Sequence, residues 1–306
     1  ISSDCVSFVL KQGECLMFGI QSPGLSGFIG GMWVAMCPAV FTCVLPPQPL
    51  EAVQESADVS ANARGEAASD PPADKSLPIE QLVKAGLPAP DRNWLASDLK
   101  AAAEVLATLA QKEQLPRFRS RRSGAAFERI TADASLDVYR DKTVPLSRRL
   151  PDALEHIDAS KQILKIYLDA FTRRKVGDSE IIELMGAQLR STAVMIELLD
   201  EFLPTLDRND PTYPVRMQGL QKMKAGMAQV VQGNLITVTE AQAYRTSERR
   251  RLIGYMQSTF PKILPALTEE GRHEALQTLG KYVDDSRLSE LKADLEKLYG
   301  SLQEGR

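Results

Sequence analysis

The distribution of charge divides this chain into two parts of different character. No Asp, Glu, Lys, Arg or His occurs from Cys15 to Leu50, whereas charged residues are frequent in residues 76–306. All four cysteines, at positions 5, 15, 37 and 43, lie in the N-terminal part. Only the later part alternates apolar and charged positions with a helical period, so it is the part expected to fold in water.

We therefore predict three segments, which are an apolar leader (1–45), a disordered acidic linker (46–75) and an all-α domain (76–306). Within the leader, Gly27–Leu45 is a stretch of 19 uncharged residues, close to the ~20 that a spanning helix needs. We interpret the leader as an export signal or membrane anchor, although the basic region of a secretory signal is poor. The alternatives are a buried apolar segment and a non-native leader, since the chain begins with Ile1 and Met17 or Met32 offers another start.

The linker is rich in Pro, Ala, Ser, Glu and Asp and has almost no large apolar residue after Val59. Such a segment cannot bury enough surface to offset its conformational entropy, so we predict disorder. A leader, a linker and a domain in this order are typical of a secreted or envelope protein that can be tethered to the membrane. A cytoplasmic location is the alternative if the leader is not native, and the linker is then a disordered tail of a soluble protein.

The domain is predicted to be an antiparallel helical bundle with flanking helices. Four helices between residues 152 and 260 are expected to pack as antiparallel neighbours, with the very apolar helix 178–203 at the centre. Pro151 and Pro261 are expected to lie outside helices, and Thr237 to Glu240 matches a capping box that would begin one. Leucines at positions 288, 291, 295, 298 and 302 are expected to dock on the bundle, or else to form a dimeric coiled coil.

Charge and motifs exclude several function classes. The domain has 34 basic and 32 acidic residues, so no nucleic-acid partner is expected. Nucleophile-elbow, Walker and Rossmann motifs are absent from the sequence, as are paired cysteines at zinc spacing. We therefore assign no catalytic, cofactor-binding or metal-binding residue and favour a protein that is not an enzyme. A cofactor-independent helical enzyme stays an alternative, because carboxylate chemistry needs only two well-placed acids.

The two histidines do not complete a known metal motif. Asp152 and His156 share a helix face, and Glu270 to His273 reads E-x-x-H. Di-iron bundles need two copies of that motif, and position 153, where the second would require Glu, is Ala153. We interpret both histidines as structural or surface residues.

Two arginine runs are the candidate surface for an anionic partner, because clustered guanidinium groups attract acidic or phosphate-bearing surfaces. The first run is interrupted by Phe118, and the second is partly offset by Glu248. The candidate residues are Arg117, Arg119, Arg121, Arg122, Arg249, Arg250 and Arg251.

One predicted helix carries glycine every seven residues together with several methionines. Glycine in a helix interior costs about 1 kcal/mol relative to Ala, so its repetition on one face indicates close helix packing or a bound ligand. Methionine adapts to irregular partners. The candidate apolar groove consists of Gly219, Met223, Gly226 and Met227.

These patterns favour a non-catalytic helical interaction or scaffold domain with an unknown protein partner. Contact with a membrane is expected only through the leader, although a tethered domain would also bring its arginine runs near anionic lipid. The alternative is a carrier that binds an apolar ligand inside the bundle.

Overall fold

The computed structural model describes residues 74–304, and all regular structure in this range is helical. The all-α fold predicted from the sequence is confirmed. The predicted leader and residues 46–73 of the predicted linker lie outside the described residues. The ten helices are α1 (Ile79–Lys84), α2 (Ala96–Gln111), α3 (Gly124–Thr131), α4 (Asp137–Arg140), α5 (Leu146–Thr172), α6 (Asp178–Phe202), α7 (Tyr213–Thr239), α8 (Thr246–Ala266), α9 (Glu269–Asp284) and α10 (Lys292–Glu304).

Helix α6 is the centre of the fold. It buries 18 of its 25 residues, and Ile181, Ile182 and Leu189 are completely shielded from solvent. Helix α5 packs along one side of α6 and α8 along another, while α2 covers α5. Helix α6, which the sequence predicted to be central, thus contacts other helices on more than one of its faces.

Helices α5 and α6 are antiparallel, but α6 and α8 run in the same direction. Arg251 and Glu183, near the starts of α8 and α6, form an ion pair, and so do Lys262 and Glu197 near their ends. Helix α7, which lies between α6 and α8 in sequence, packs mainly on α8 and α9 and touches α6 little. The expectation that all sequence neighbours would pack as antiparallel pairs is therefore not met, because α7 turns away and lets α8 lie beside α6.

This arrangement gathers three connections at one end of the molecule. Helices α2, α5 and α7 end there, and α6 and α8 begin there. The connections are residues 112–123, 173–177 and 240–245. Hydrogen bonds join the second connection to the first, and Asp178 at the start of α6 to Arg245 at the end of the third.

The C-terminal leucines dock on the bundle, as the sequence predicted. Leu291, Leu295 and Leu298 are completely buried, and Leu288 and Leu302 are nearly so. Leu295, Leu298 and Leu302 lie on α10, which packs against α8 and α9, and Leu288 and Leu291 lie in the 3₁₀ turn just before it. Their burial within one chain leaves this seam no free apolar face for a coiled-coil dimer.

Local sequence rules are overridden at several points. Pro151 lies inside α5, and Pro261 and Pro265 lie inside α8. A proline inside a helix costs about 3 kcal/mol, and here it falls in helices whose apolar faces are buried in the core. Thr237 and Glu240 end α7 rather than begin the next helix, and the Thr237 hydroxyl donates to the carbonyl of Gly233.

Candidate functional site

A single carboxylate, Glu180, fixes the first arginine loop to the start of α6. Its Oε1 accepts from the Phe118 amide at 3.0 Å and from Arg117 Nε at 3.1 Å. Its Oε2 accepts from the Gly177 amide at 2.9 Å, which is the bond expected of an acid at the third position of a helix. Arg117 Nη1 in turn donates to the carbonyl of Lys175 at 2.7 Å. Residues 112–123 and 173–177 are thereby held side by side.

Arg117 is therefore a structural residue rather than a surface cation. Its side chain is 11% exposed and that of Glu180 is 5% exposed. Breaking such a buried pair by removing one partner leaves an uncompensated charge in the interior. The charge of this member of the first arginine run is therefore already used inside the fold.

The two arginine runs meet at Phe118. The guanidinium of Arg119 lies 4.7 Å from the centre of the Phe118 ring, and that of Arg251 lies 5.4 Å from it. Both distances are within the range of cation–π attraction. Phe118 also contacts Phe127, with ring centres 5.8 Å apart, so the ring links the arginine loop to the core.

Acidic partners neutralise the second arginine run. Arg251 Nη1 donates to Glu183 at 3.2 Å and to Glu248 at 2.8 Å. Arg250 Nε donates to Asp294 at 2.8 Å. Arg249, only 2% exposed, pairs with Glu290 and also donates to the carbonyl of Val238. This run joins α8 to α6 and α10 and presents little positive charge to solvent.

The exposed arginines at this end that lack an acidic partner come from the first run and from a pair, Arg173 and Arg174, that was not predicted from the sequence. Arg173 and Arg174 directly follow α5 and are exposed. We call Arg119, Arg121, Arg122, Arg173 and Arg174 the basic end.

The basic end is unusual in lacking acidic partners. Among the described arginines, seven form neither an ion pair nor a side-chain hydrogen bond, and five of those are the basic end. The other two, Arg208 and Arg272, lie before α7 and in α9. The two loops that carry the basic end, 112–123 and 173–177, contain eight basic residues and one acid, Glu113.

Glu113 and Asp178, two acids at this end, are already occupied. Glu113 accepts from Lys75 at 2.6 Å and pairs with Lys175 at 3.2 Å, and these two lysines lower the pKa of its carboxyl group. Burial raises the pKa of Asp178, but hydrogen bonds and charge from Arg245 outweigh it, so the net shift is downward. Both acids are ionised near neutral pH and bound to their own partners, which leaves the basic end uncompensated.

The backbone of these loops is conformationally costly. Glu113, Arg119 and Arg174 have φ values of 59°, 57° and 56°. They are the residues other than glycine with positive φ in the described range. The left-handed region costs roughly 1 kcal/mol or more for such residues, so the surrounding contacts must hold the loops in place.

The candidate apolar groove is occupied by protein. Met223 and Met227 are 2% and 6% exposed, Gly219 is buried and Gly226 is half-buried. Helix α7 packs these positions within the bundle, mainly on α8 and α9. The structure does describe a cavity of about 330 Å³, but it lies between α4 and α6. Its lining residues are Tyr139, Arg140, Lys142, Val194, Glu197, Leu198 and Glu201.

The two histidines lie apart. His156 is buried, and its Nδ1 is 3.3 Å from the Tyr139 hydroxyl, whereas His273 is exposed on α9. Asp152 is exposed and lies 4.0 Å from Arg148. In residues 74–304, no group of three or more His, Cys, Asp or Glu side chains is placed to hold a metal ion.

Comparison with protein-family models, with curated proteins and with solved structures found no match to this chain. Among the helices that the structure describes, none combines the length and the apolar character that crossing a membrane requires. What the basic end can bind therefore follows from its own chemistry.

Proposed function

We propose that the helical domain is a non-catalytic interaction module that binds an acidic segment of a protein partner through the basic end. The observation that carries the proposal is the concentration of unpaired arginines. Five exposed guanidinium groups lie on two loops that Arg117 and Glu180 hold together. Guanidinium binds carboxylate through two parallel hydrogen bonds, so an acidic peptide satisfies all of these groups at once.

A protein partner is favoured over a membrane surface. Proteins that lie in a membrane interface insert apolar side chains beside their basic residues. The exposed large apolar residues of the described range lie elsewhere, at positions 83, 95, 138, 215 and 236. Phe118, the aromatic residue of the arginine loop, is half-buried beneath Arg119 and Arg251. The basic end thus presents positive charge without an exposed large apolar side chain that could insert into a membrane.

A non-catalytic role is supported by the state of the buried acids. Glu180, Glu183 and Glu248 all lie against arginine side chains. A general base must be free to take a proton from a substrate, and these carboxylates are instead bound within the fold.

The binding test compares two double variants of the full chain that lose the same charge. Labelled poly-L-glutamate is the probe, and fluorescence anisotropy measures its Kd at low salt. Arg121→Gln/Arg122→Gln removes two cations of the basic end, and Arg208→Gln/Arg272→Gln removes the two unpaired arginines elsewhere. Exposed ion pairs contribute about 0.2–1 kcal/mol each, so the first variant should bind roughly tenfold more weakly and the second as wild type.

Equal weakening in both variants would show that net charge alone attracts the probe and would contradict the proposed site. Vesicles of phosphatidylcholine and phosphatidylserine provide the competing partner. Vesicle binding that is stronger than poly-L-glutamate binding and is lost in Arg121→Gln/Arg122→Gln would assign the basic end to a membrane instead.

We also propose, from the sequence alone, that the leader exports or anchors this domain at the cell envelope. The charge-free stretch Gly27–Leu45 supports this location. Intact mass and membrane partitioning of a C-terminally tagged chain provide the test. Cleavage or lipidation near residues 37–50 with recovery in the envelope fraction is expected, and a soluble cytoplasmic product would contradict it.

A further inference from the structure

The chain enters the folded domain at the basic end. Asp74 accepts a hydrogen bond from the Ser120 hydroxyl at 2.7 Å, in the middle of the first arginine loop. Lys75 donates to Glu113 at 2.6 Å, and the Ser123 hydroxyl donates to that of Ser76 at 2.8 Å. These contacts fix residues 74–76, where the described part of the chain begins, beside the first arginine loop.

The preceding residues carry the opposite charge. Residues 51–73 contain five acids and a single base, Arg64. The acids are Glu51, Glu55, Asp58, Glu66 and Asp70. An extended chain spans at most about 3.6 Å per residue, so Asp70 cannot lie more than about 14 Å from Asp74. Arg121 and Arg122 are one and two residues from Ser120, the partner of Asp74.

We propose that the acidic segment 51–73 of the same chain binds the basic end and competes there with the acidic partner. This inference rests on the proposed function, because it assigns regulation to the same arginines. The segment presents the chemistry that the basic end recognises, and its covalent attachment keeps it there at an effective concentration of order millimolar.

The competition is a weak and salt-dependent one. Exposed charges more than about 10 Å apart are largely screened at about 0.1 M salt, so only acids close to the arginines contribute. A partner with a denser acidic segment displaces the chain's own segment, and high salt removes the difference between the two states.

The first test neutralises the segment in the full chain. The variant carries Glu51→Gln, Glu55→Gln, Asp58→Asn, Glu66→Gln and Asp70→Asn. Its matched control neutralises five exposed acids of the domain that have no ion-pair partner among the described residues: Glu104→Gln, Asp200→Asn, Glu269→Gln, Glu270→Gln and Glu274→Gln. The segment variant should bind poly-L-glutamate at least about fivefold more tightly than the control at low salt, and the two should converge at high salt.

The second test measures directly, without any partner, whether segment 51–73 shields the basic end. Trypsin cleaves after arginine, so mass spectrometry can follow cleavage after Arg121 and Arg122 relative to cleavage after Arg208, which is exposed in the connection before α7. The segment variant should be cut several-fold faster at the basic end, with cleavage after Arg208 unchanged. If the protection from cleavage disappears on dilution, the arginines are shielded by the segment of a second copy. That result would overturn the intramolecular proposal.

The two proposals fail in different ways. If the segment variant and its control bind the probe equally and are cut at equal rates, self-binding is overturned while the interaction site stands. If the segment variant is cut faster but neither protein binds the probe, segment 51–73 does cover the arginines, but the proposed function and the competition fail.

Discussion

At the scale of single residues, Glu180 shows how one buried acid can organise a surface that is rich in arginine. It accepts hydrogen bonds from the Phe118 amide, the Gly177 amide and Arg117. No other carboxylate accepts a described hydrogen bond from these groups, so Glu180 alone links all three of them to the start of α6.

Replacing this acid should loosen the loop and destabilise the fold. Glu180→Ala removes one partner of a buried ion pair, which typically costs about 3–5 kcal/mol. Chemical denaturation measures the loss, and Glu104→Ala, at an exposed position of α2, should change stability by less than about 0.5 kcal/mol. Similar stabilities for the two variants would show that Glu180 does not anchor the loop.

Gly186 lies where α6 and α8 approach each other closely. A Cβ atom at this position would lie 2.5 Å from two ring carbons of Tyr255. The Tyr255 hydroxyl donates to Glu183 at 2.7 Å, so the ring cannot move aside without losing that bond. Burial and this bond together raise the pKa of Tyr255 to about 12, which keeps the hydroxyl protonated as a donor.

Gly186→Ala should therefore destabilise the protein by about 1–3 kcal/mol through overpacking. Gly254→Ala on α8 is the matched control, because a Cβ there meets nothing within 4 Å. That substitution should be neutral or stabilise by up to about 1 kcal/mol, since alanine favours helix. Thermal melting of both variants decides the point, and a Gly186→Ala protein as stable as wild type would mean that α6 and α8 can separate.

At the scale of helices, the burial of His156 between α4 and α5 should make stability depend on pH. Burial lowers its pKa from an ordinary 6.5 to about 4. Between these values the unfolded chain binds a proton that the folded chain does not, so stability falls as pH falls from about 6.5 to about 4. The full effect is about 3 kcal/mol.

Urea denaturation from about pH 7.5 to 4.5 should show this slope in wild type and lose most of it in His156→Gln. The amide keeps an acceptor for Tyr139, so packing is disturbed little. His273→Gln removes the exposed histidine of α9 and should keep the wild-type slope. If His156→Gln and wild type respond identically to acid, the buried imidazole is not the cause.

Some helices could be predicted from the sequence more reliably than their ends. Periodicity identified α6, α7 and the C-terminal leucines, because a helix buried along one face must repeat its apolar residues with the helical period. Helix ends were less predictable. Thr268 caps α9 and accepts from the Gly271 amide. Pro151, which was expected to lie outside a helix, lies inside α5, because burial of a long helix can outweigh the cost of one proline.

Only three of the five arginines of the basic end were predicted from the sequence. Arg119, Arg121 and Arg122 were found because they form a run, but a run says nothing about partners. Arg117 and Arg249 belong to equally dense runs and are buried against Glu180 and Glu290. Those acids lie 63 and 41 residues away in sequence, so pairing depends on tertiary structure that local pattern does not encode.

At the scale of the whole molecule, α6 joins two groups of helices into one core. Helices α2 and α5 lie on one side, and α8 with α10 on the other. Leu106 in α2 and Leu298 in α10 are both completely buried, and their helices contact different partners. If the core is continuous through α6, a destabilising substitution in either group must lower the midpoint of one shared unfolding transition.

Leu106→Ala and Leu298→Ala should each destabilise the protein by about 2–5 kcal/mol, the usual cost of a large cavity in a core. Because α2 and α10 pack on different helices, the double variant should lose the sum of the two within about 0.5 kcal/mol. Both single variants, made in a Trp33→Phe background, should keep one denaturation transition, by circular dichroism and by fluorescence from Trp94, which is buried near the start of α2. A Leu298→Ala protein whose α10 side unfolds first, leaving the Trp94 signal at its wild-type midpoint, would instead show that α6 separates two independent units. The basic end would then draw its two arginine loops from the α2–α5–α6 unit alone, and Arg251, on α8, would no longer be fixed beside Phe118.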